Sequence, residues 1–198
     1  DGMTFTWQAG RQLASLQKGS TGISYTYGSD GTRLTKTVNG AKTSYTWDGA
    51  QLVSQKTGNE AIYFLYHGSS RVGLEYKGNT YYYIYNLQGD VVGLVNSSGN
   101  TVVSYTYDAW GNPESTTGSM ASTLGAANPF RYRSYYFDTE SGLYYLMSRY
   151  YDPVVGRWLN ADAYLTSSSF LGCNAFVYCY NNPIMYVDYT GSVPEWLY

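Results

Sequence analysis

Aromatic and hydroxyl residues alternate along the first half of the chain. Ser24-Tyr25-Thr26-Tyr27, Ser44-Tyr45-Thr46-Trp47 and Ser104-Tyr105-Thr106-Tyr107 each repeat with period two. That period places the aromatics on one face of an extended strand and the hydroxyls on the other. An aromatic then meets a polar turn at Trp7, Tyr27, Trp47, Tyr66, Tyr85 and Tyr107, at spacings of 20, 20, 19, 19 and 22 residues. The turns include Gly28-Ser29-Asp30-Gly31, Asp48-Gly49 and Asn86-Leu87-Gln88-Gly89, where Gly, Asn and Asp supply left-handed positions. Beyond the turn an Arg or Gln precedes an aliphatic residue, as in Arg11-Gln12-Leu13, Arg33-Leu34, Gln51-Leu52 and Arg71-Val72. A second turn, near Asn39-Gly40 or Ser97-Ser98-Gly99, returns the chain to the next aromatic. One hairpin per repeat predicts an all-β antiparallel meander over 1–112. No such hairpin buries a face without its neighbours.

The period lapses after Trp110. Asn112 to Asn128 is rich in small residues without alternation, which predicts a long loop over 113–128, the least ordered part of the chain. A second aromatic unit is expected over 129–198. It opens with a run from Pro129 to Asp138, turns at Glu140-Ser141-Gly142, and continues through GLYYLMSRYYDPVVGRW from Gly142 to Trp158. Pro153 removes a ladder donor, so the strand should end near Asp152 before Gly156-Arg157-Trp158 turns back.

Composition sharpens this picture. Aromatic content is 18% and charged content 13%, against about 25% charged in an ordinary domain. The 25 tyrosines carry the imbalance; each can bury a ring while its hydroxyl stays hydrogen-bonded. A net charge of −2 with scattered basic residues argues against a nucleic-acid partner. No apolar run approaches the roughly 18 residues of a membrane span. The first residues, DGMTFTWQAG, lack the charged and apolar regions of a signal peptide and read as the middle of a longer chain. Cys173 and Cys179 are too few for a disulfide framework, and each reads as a small buried hydrophobe. His67 is the single histidine, so a His-based metal site is not expected. No phosphate-binding loop is present, and no cofactor is implied.

The tyrosine-turn unit of about 20 residues resembles the YD repeat of the Rhs group. That group includes toxin-complex C proteins, wall-associated toxins and teneurins. From Asn128 to about Gly191 the chain resembles the Rhs repeat-associated core, in FRYRSYYFDTESGLYYLMSRYYDPVVGRWLNAD and NAFVYCYNNPIMYVDYTG. The resemblance implies a β-sheet spiralling into a shell, with the core closing one end. It implies a structural or encapsulating segment of a secreted or surface-displayed bacterial polymorphic toxin. Its partners would be the remainder of the shell and a C-terminal toxin domain. In some members the core cuts the chain just after itself, in an aspartyl-protease-like site. Two carboxylates sharing a proton are needed for that chemistry. Asp188 is the candidate, with Asp152 and Asp162 as candidate partners and Arg149 or Arg157 to orient a carboxylate or carbonyl. Capping of turns is the competing role of these aspartates. The usual family motif is Asp-Pro-x-Gly followed by Leu. Here Tyr189 follows Asp188, and Ser192 follows Gly191. An alternative function is a module binding cell-surface or cell-wall glycans through the repeat aromatics, against which stands a tyrosine ladder across neighbouring strands.

Overall fold

Each repeat forms two strands, because each brings one alternating run, one left-handed turn and one returning run. The computed structural model describes residues 2–162, 174–192 and 194–196. Twelve strands follow in sequence: β1 (Met3–Gln8), β2 (Gln12–Lys18), β3 (Thr21–Tyr27), β4 (Arg33–Val38), β5 (Ala41–Asp48), β6 (Gln51–Thr57), β7 (Glu60–His67), β8 (Ser70–Tyr76), β9 (Asn79–Tyr85), β10 (Val91–Asn96), β11 (Thr101–Tyr107) and β12 (Pro113–Thr117). They make one antiparallel sheet in strict chain order, which is the expected meander. Tyr25, Tyr45 and Tyr105 are buried on one face. Thr26 and Thr106 are exposed on the other, in hydroxyl pairs with Thr35 at 2.7 Å and Ser115 at 2.9 Å.

The repeat aromatics are the last or next-to-last residues of the odd strands, each beside a register shift. A bulge leaves one residue unpaired and interrupts the ladder. At Tyr27 and Tyr66 the residue skipped on the partner strand is Leu34 and Val72 respectively. Both of these aliphatics are exposed. The aromatic of the next repeat reaches back to this place. Tyr27 Oη donates to Leu13 O at 2.9 Å, Trp47 Nε1 to Arg33 O at 2.8 Å, and Tyr66 Oη to Leu52 O at 3.1 Å. Tyr85 Oη donates to Arg71 O at 2.7 Å and Tyr107 Oη to Val91 O at 2.8 Å. Every acceptor is the cross-strand partner of the aromatic one repeat earlier.

The expected loop over 113–128 requires correction. It holds β12, a π-helical turn over Ala121–Gly125, and buried Leu124 and Asn128. β12 (PESTT) is largely exposed, so it needs no apolar alternation and its sequence carries none. Asn128 is fixed by Tyr83 Oη at 2.8 Å and donates to Phe130 O at 2.9 Å.

A second antiparallel sheet follows: β13 (Tyr136–Asp138), β14 (Leu143–Leu146), β15 (Arg149–Asp152) and β16 (Arg157–Trp158). The strand ends at Asp152 as expected. Every residue of β14 and β15 is buried, because both faces are covered. Tyr136, Leu143, Tyr145 and Tyr150 pack with the inner face of the large sheet. Tyr144, Leu146, Tyr151 and Trp158 pack on Tyr178, Cys179 and Val187 from the C-terminal segment. Two short strands, β17 (Tyr186–Val187) and β18 (Glu195–Trp196), pair there. Burial pushes the Cys179 thiol up to about 12. Cys173 lies outside the described residues.

One buried ion cluster ties the two sheets. Arg33 on β4 donates through Nη1 to Asp138 Oδ2 on β13 at 2.5 Å, and Lys36 Nζ reaches Asp138 Oδ1 at 3.0 Å. The Arg33 guanidinium also lies within 5.4 Å of the ring centres of Tyr25, Tyr45, Tyr136 and Tyr145. Such cation–aromatic contacts favour the charged form where water is excluded.

Candidate functional site around Arg149 and Asp188

The sharp turn between β14 and β15 places the site. Met147 is left-handed there, with φ of 52°, and Ser148 and Arg149 follow directly. Arg149 is buried, with its guanidinium 4.1 Å from the Trp158 ring centre. Its Nη2 lies 2.9 Å from Asp162 Oδ2 and 3.2 Å from Asp188 Oδ2. Its Nε donates to Gly191 O in a short contact.

Asp188 follows β17 and is fully buried. Its own N–H donates to Tyr135 Oη at 3.1 Å, and that hydroxyl meets Tyr178 Oη at 3.1 Å. Its Oδ1 accepts the N–H groups of Thr190, Gly191 and Ser192 at 3.3, 2.8 and 3.0 Å. The chain thereby curls around its own carboxylate. Gly191 is required in that curl: φ is 73°, and a Cβ would lie 2.8 Å from Leu146 O and 2.9 Å from Ser148 Oγ. Ser148 Oγ is 2.8 Å from Thr190 O, 2.7 Å from Gly191 O and 3.3 Å from Ser192 Oγ.

Burial pushes the Asp188 carboxyl above the usual carboxylate range, and the Ser192 amide and Arg149 only partly offset it. Burial likewise pushes Arg149 down, against Asp162 and Asp188. Two carboxylates on one guanidinium nitrogen share a single positive charge, so Arg149 offsets the burial of Asp188 only in part.

Of the residues expected from sequence, Asp188, Asp162 and Arg149 come together. Asp152 does not join them; its Oδ1 accepts Val154 and Val155 N–H at 2.9 and 3.3 Å, capping the β15–β16 turn. Sequence reasoning missed Ser148 and Ser192. The available signals were the Ser-Arg pair of the LMSR centre and the serine standing where the family motif has Leu. Segment 163–173 lies outside the described residues.

No family model matches the chain. It is 40% identical over 197 residues to the tRNA3(Ser)-specific nuclease WapA of Bacillus spizizenii, covering 95% of this chain and 8% of that protein. It is 31% identical over 109 residues to double-stranded DNA deaminase toxin A of Burkholderia cenocepacia, covering 53% of this chain and 7% of that protein. Its fold is that of a segment in a crystal structure of TcdB2-TccC3-TEV, with a TM-score of 0.77 at 23% identity over 96% of this chain and 10% of that one. The chain thus spans under a tenth of the length of these curated relatives. In fold and in sequence the chain is similar to segments of Rhs-type toxin proteins, the group that its motifs resemble.

Proposed function

We propose that this segment is a piece of shell wall with its inner seal, carrying or presenting a C-terminal toxin domain in a secreted or surface-delivered protein. One observation carries the reading. Nearly all of the segment is shared with a protein named as a tRNA nuclease and 53% of it with one named as a DNA deaminase toxin, so it serves a need common to unlike activities. A large sheet with a buried core sheet locked to its inner face suits an enclosure. Further wall segments would be needed to surround a domain, and the rest of the protein would supply them. The repeat aromatics direct their donors at backbone carbonyls, which supports a ladder across neighbouring strands over the glycan-binding alternative. Protease treatment of the full-length protein tests the proposal. The C-terminal domain should resist digestion inside the intact shell and be degraded when expressed alone. Equal digestion in both settings overturns it.

A second reading is favoured by the Asp162–Arg149–Asp188 cluster beside Gly191. The chain cuts itself once in this site, with the two carboxylates as acid and base. Intact mass of the full-length protein should show two pieces, and Asp188→Asn a single one. Two pieces from Asp188→Asn count against it.

A further inference from the structure

The turns that follow the odd strands all lie along one rim of the large sheet. At the β9–β10 and β11–β12 turns the core segment seals that rim. Arg133 Nη1 donates to Gln88 O at 2.8 Å and Ser134 Oγ to Gly89 O at 2.9 Å. The hydroxyls of Tyr132, Tyr151 and Tyr144 donate to the carbonyls of Ala109, Trp110 and Gly111 at 3.0, 2.7 and 2.7 Å. Among the described residues, no core side chain donates to the carbonyls of the β5–β6 and β7–β8 turns; Gly68 O receives Gln51 Nε2 at 2.9 Å from within the sheet.

Between those two turns lies an open notch of about 530 Å³, lined by Asp48, Ala50, Gln51, Tyr66, Ser69 and Arg71. Arg71 is fixed there from two sides. Its Nε donates to Tyr66 Oη at 3.2 Å, and its guanidinium carbon lies 3.1 Å from the Phe130 ring centre. A guanidinium held this way is a planar fork already oriented for a bidentate acceptor. Arg33, Arg133 and Arg149 each meet a carboxylate. Arg71 meets none among the described residues, and neither of its Nη atoms has an acceptor there. Asp48, exposed on the other wall of the notch, has no cationic partner among them either. The arrangement recurs two repeats earlier with the charges in reverse order, where Arg11 and Asp30 line a notch of about 380 Å³ over Tyr27.

We propose that the Asp48–Arg71 notch is a docking surface whose occupant is another segment of the same polypeptide, outside these 198 residues, which sets an Asp or Glu carboxylate on the Arg71 fork. This rests on the wall reading above and names one joint of that wall. Two observations select the occupant. The notch lies on the same rim that the core segment already seals, so a polypeptide covering it extends an existing interface. The charges then favour a polypeptide over a free anion. Asp48 repels a phosphate-like dianion, whereas a chain segment brings a carboxylate to Arg71 and a donor to Asp48 together. The chain covers 8% of its WapA relative, which leaves the greater part of such a protein to supply that segment.

The test uses the full-length protein carrying Arg71→Lys and a carbodiimide, which joins an ammonium to a carboxylate in direct contact and adds no spacer. Lys77 and Glu60, exposed and 3.0 Å apart, are the positive control. Peptide mass should show position 71 joined to an Asp or Glu outside residues 1–198, in a product of single-chain mass. Joining to Asp48 alone, or no joining at position 71 while Lys77 and Glu60 couple, overturns the proposal. A product of twice the chain mass also overturns it, since the carboxylate then belongs to a second copy. Protease protection of the C-terminal domain, measured on the same samples, separates this inference from the reading it rests on and shows that the variant has folded. Protection without a joined carboxylate removes the notch and leaves the wall standing. Equal digestion of the domain in the full-length protein and alone removes both.

Discussion

Two buried aspartates in this chain face opposite surroundings. At Asp138 burial alone would raise the carboxyl, but the Arg33 guanidinium and Lys36 ammonium outweigh it and hold it below the usual range. At Asp188 burial wins and the carboxyl is raised. The linkage signs therefore differ. Stability from Asp138 is present above the ordinary carboxylate range and is lost as pH falls through its lowered value. Asp188 favours the folded state most at low pH, and its contribution declines as pH rises through its raised value. Acid unfolding should accordingly be steep in the wild type and shallower in Asp138→Asn, with urea midpoints from pH 2 to 7 as the measurement. Near neutrality Asp138→Asn should itself lose about 3–5 kcal/mol, because Arg33 stays buried without its carboxylate. An unchanged midpoint would mean that water replaces Asp138 at the cluster. A pairing 105 residues apart in sequence leaves no local trace, so neither member was legible as a partner of the other.

At the scale of the element, the unit of this sheet is a hairpin plus the aromatic that reaches back to the preceding one. The strands and turns were readable because alternation and left-handed turn residues are local signals. The reach-back was not, since it depends on a bulge that the residue pattern does not announce. Each such bond should be worth about 0.5–1.5 kcal/mol. Tyr66→Phe removes only a hydroxyl and leaves Leu52 O without its donor. Tyr85→Phe does the same to Arg71 O at an exposed position, where water can take the vacated acceptor. Urea titration should show the larger loss for Tyr66→Phe and close to none for Tyr85→Phe. No loss at either position would assign these tyrosines to ring packing alone.

At the scale of the whole molecule, a meander and an aromatic core segment were expected as successive units, and the structure joins them in one core. Tyr136, Tyr145 and Tyr150 belong to the same buried cluster as Leu16, Tyr25, Tyr45 and Leu94. The aromatic runs of β14 and β15 announced burial but not two covered faces, because adjacent tyrosines read alike whichever side they take. For the same reason Asp188 and Arg149 were legible as chemistry while Ser148 and Ser192 were not: ordinary turn serines differ from these only by what the fold brings beside them. Shared burial has a thermodynamic consequence. Neither sheet can open without exposing the other's apolar face, and the Arg33–Asp138 pair must break when they part. Native-state hydrogen exchange should therefore give the amides of β5 and of β14 the same opening free energy and the same denaturant dependence, as one cooperative unit. Asp138→Asn should lower both by equal amounts. Exchange of β14 at a markedly lower free energy, with β5 unaffected, would instead make the core segment a detachable plug on an independently stable wall.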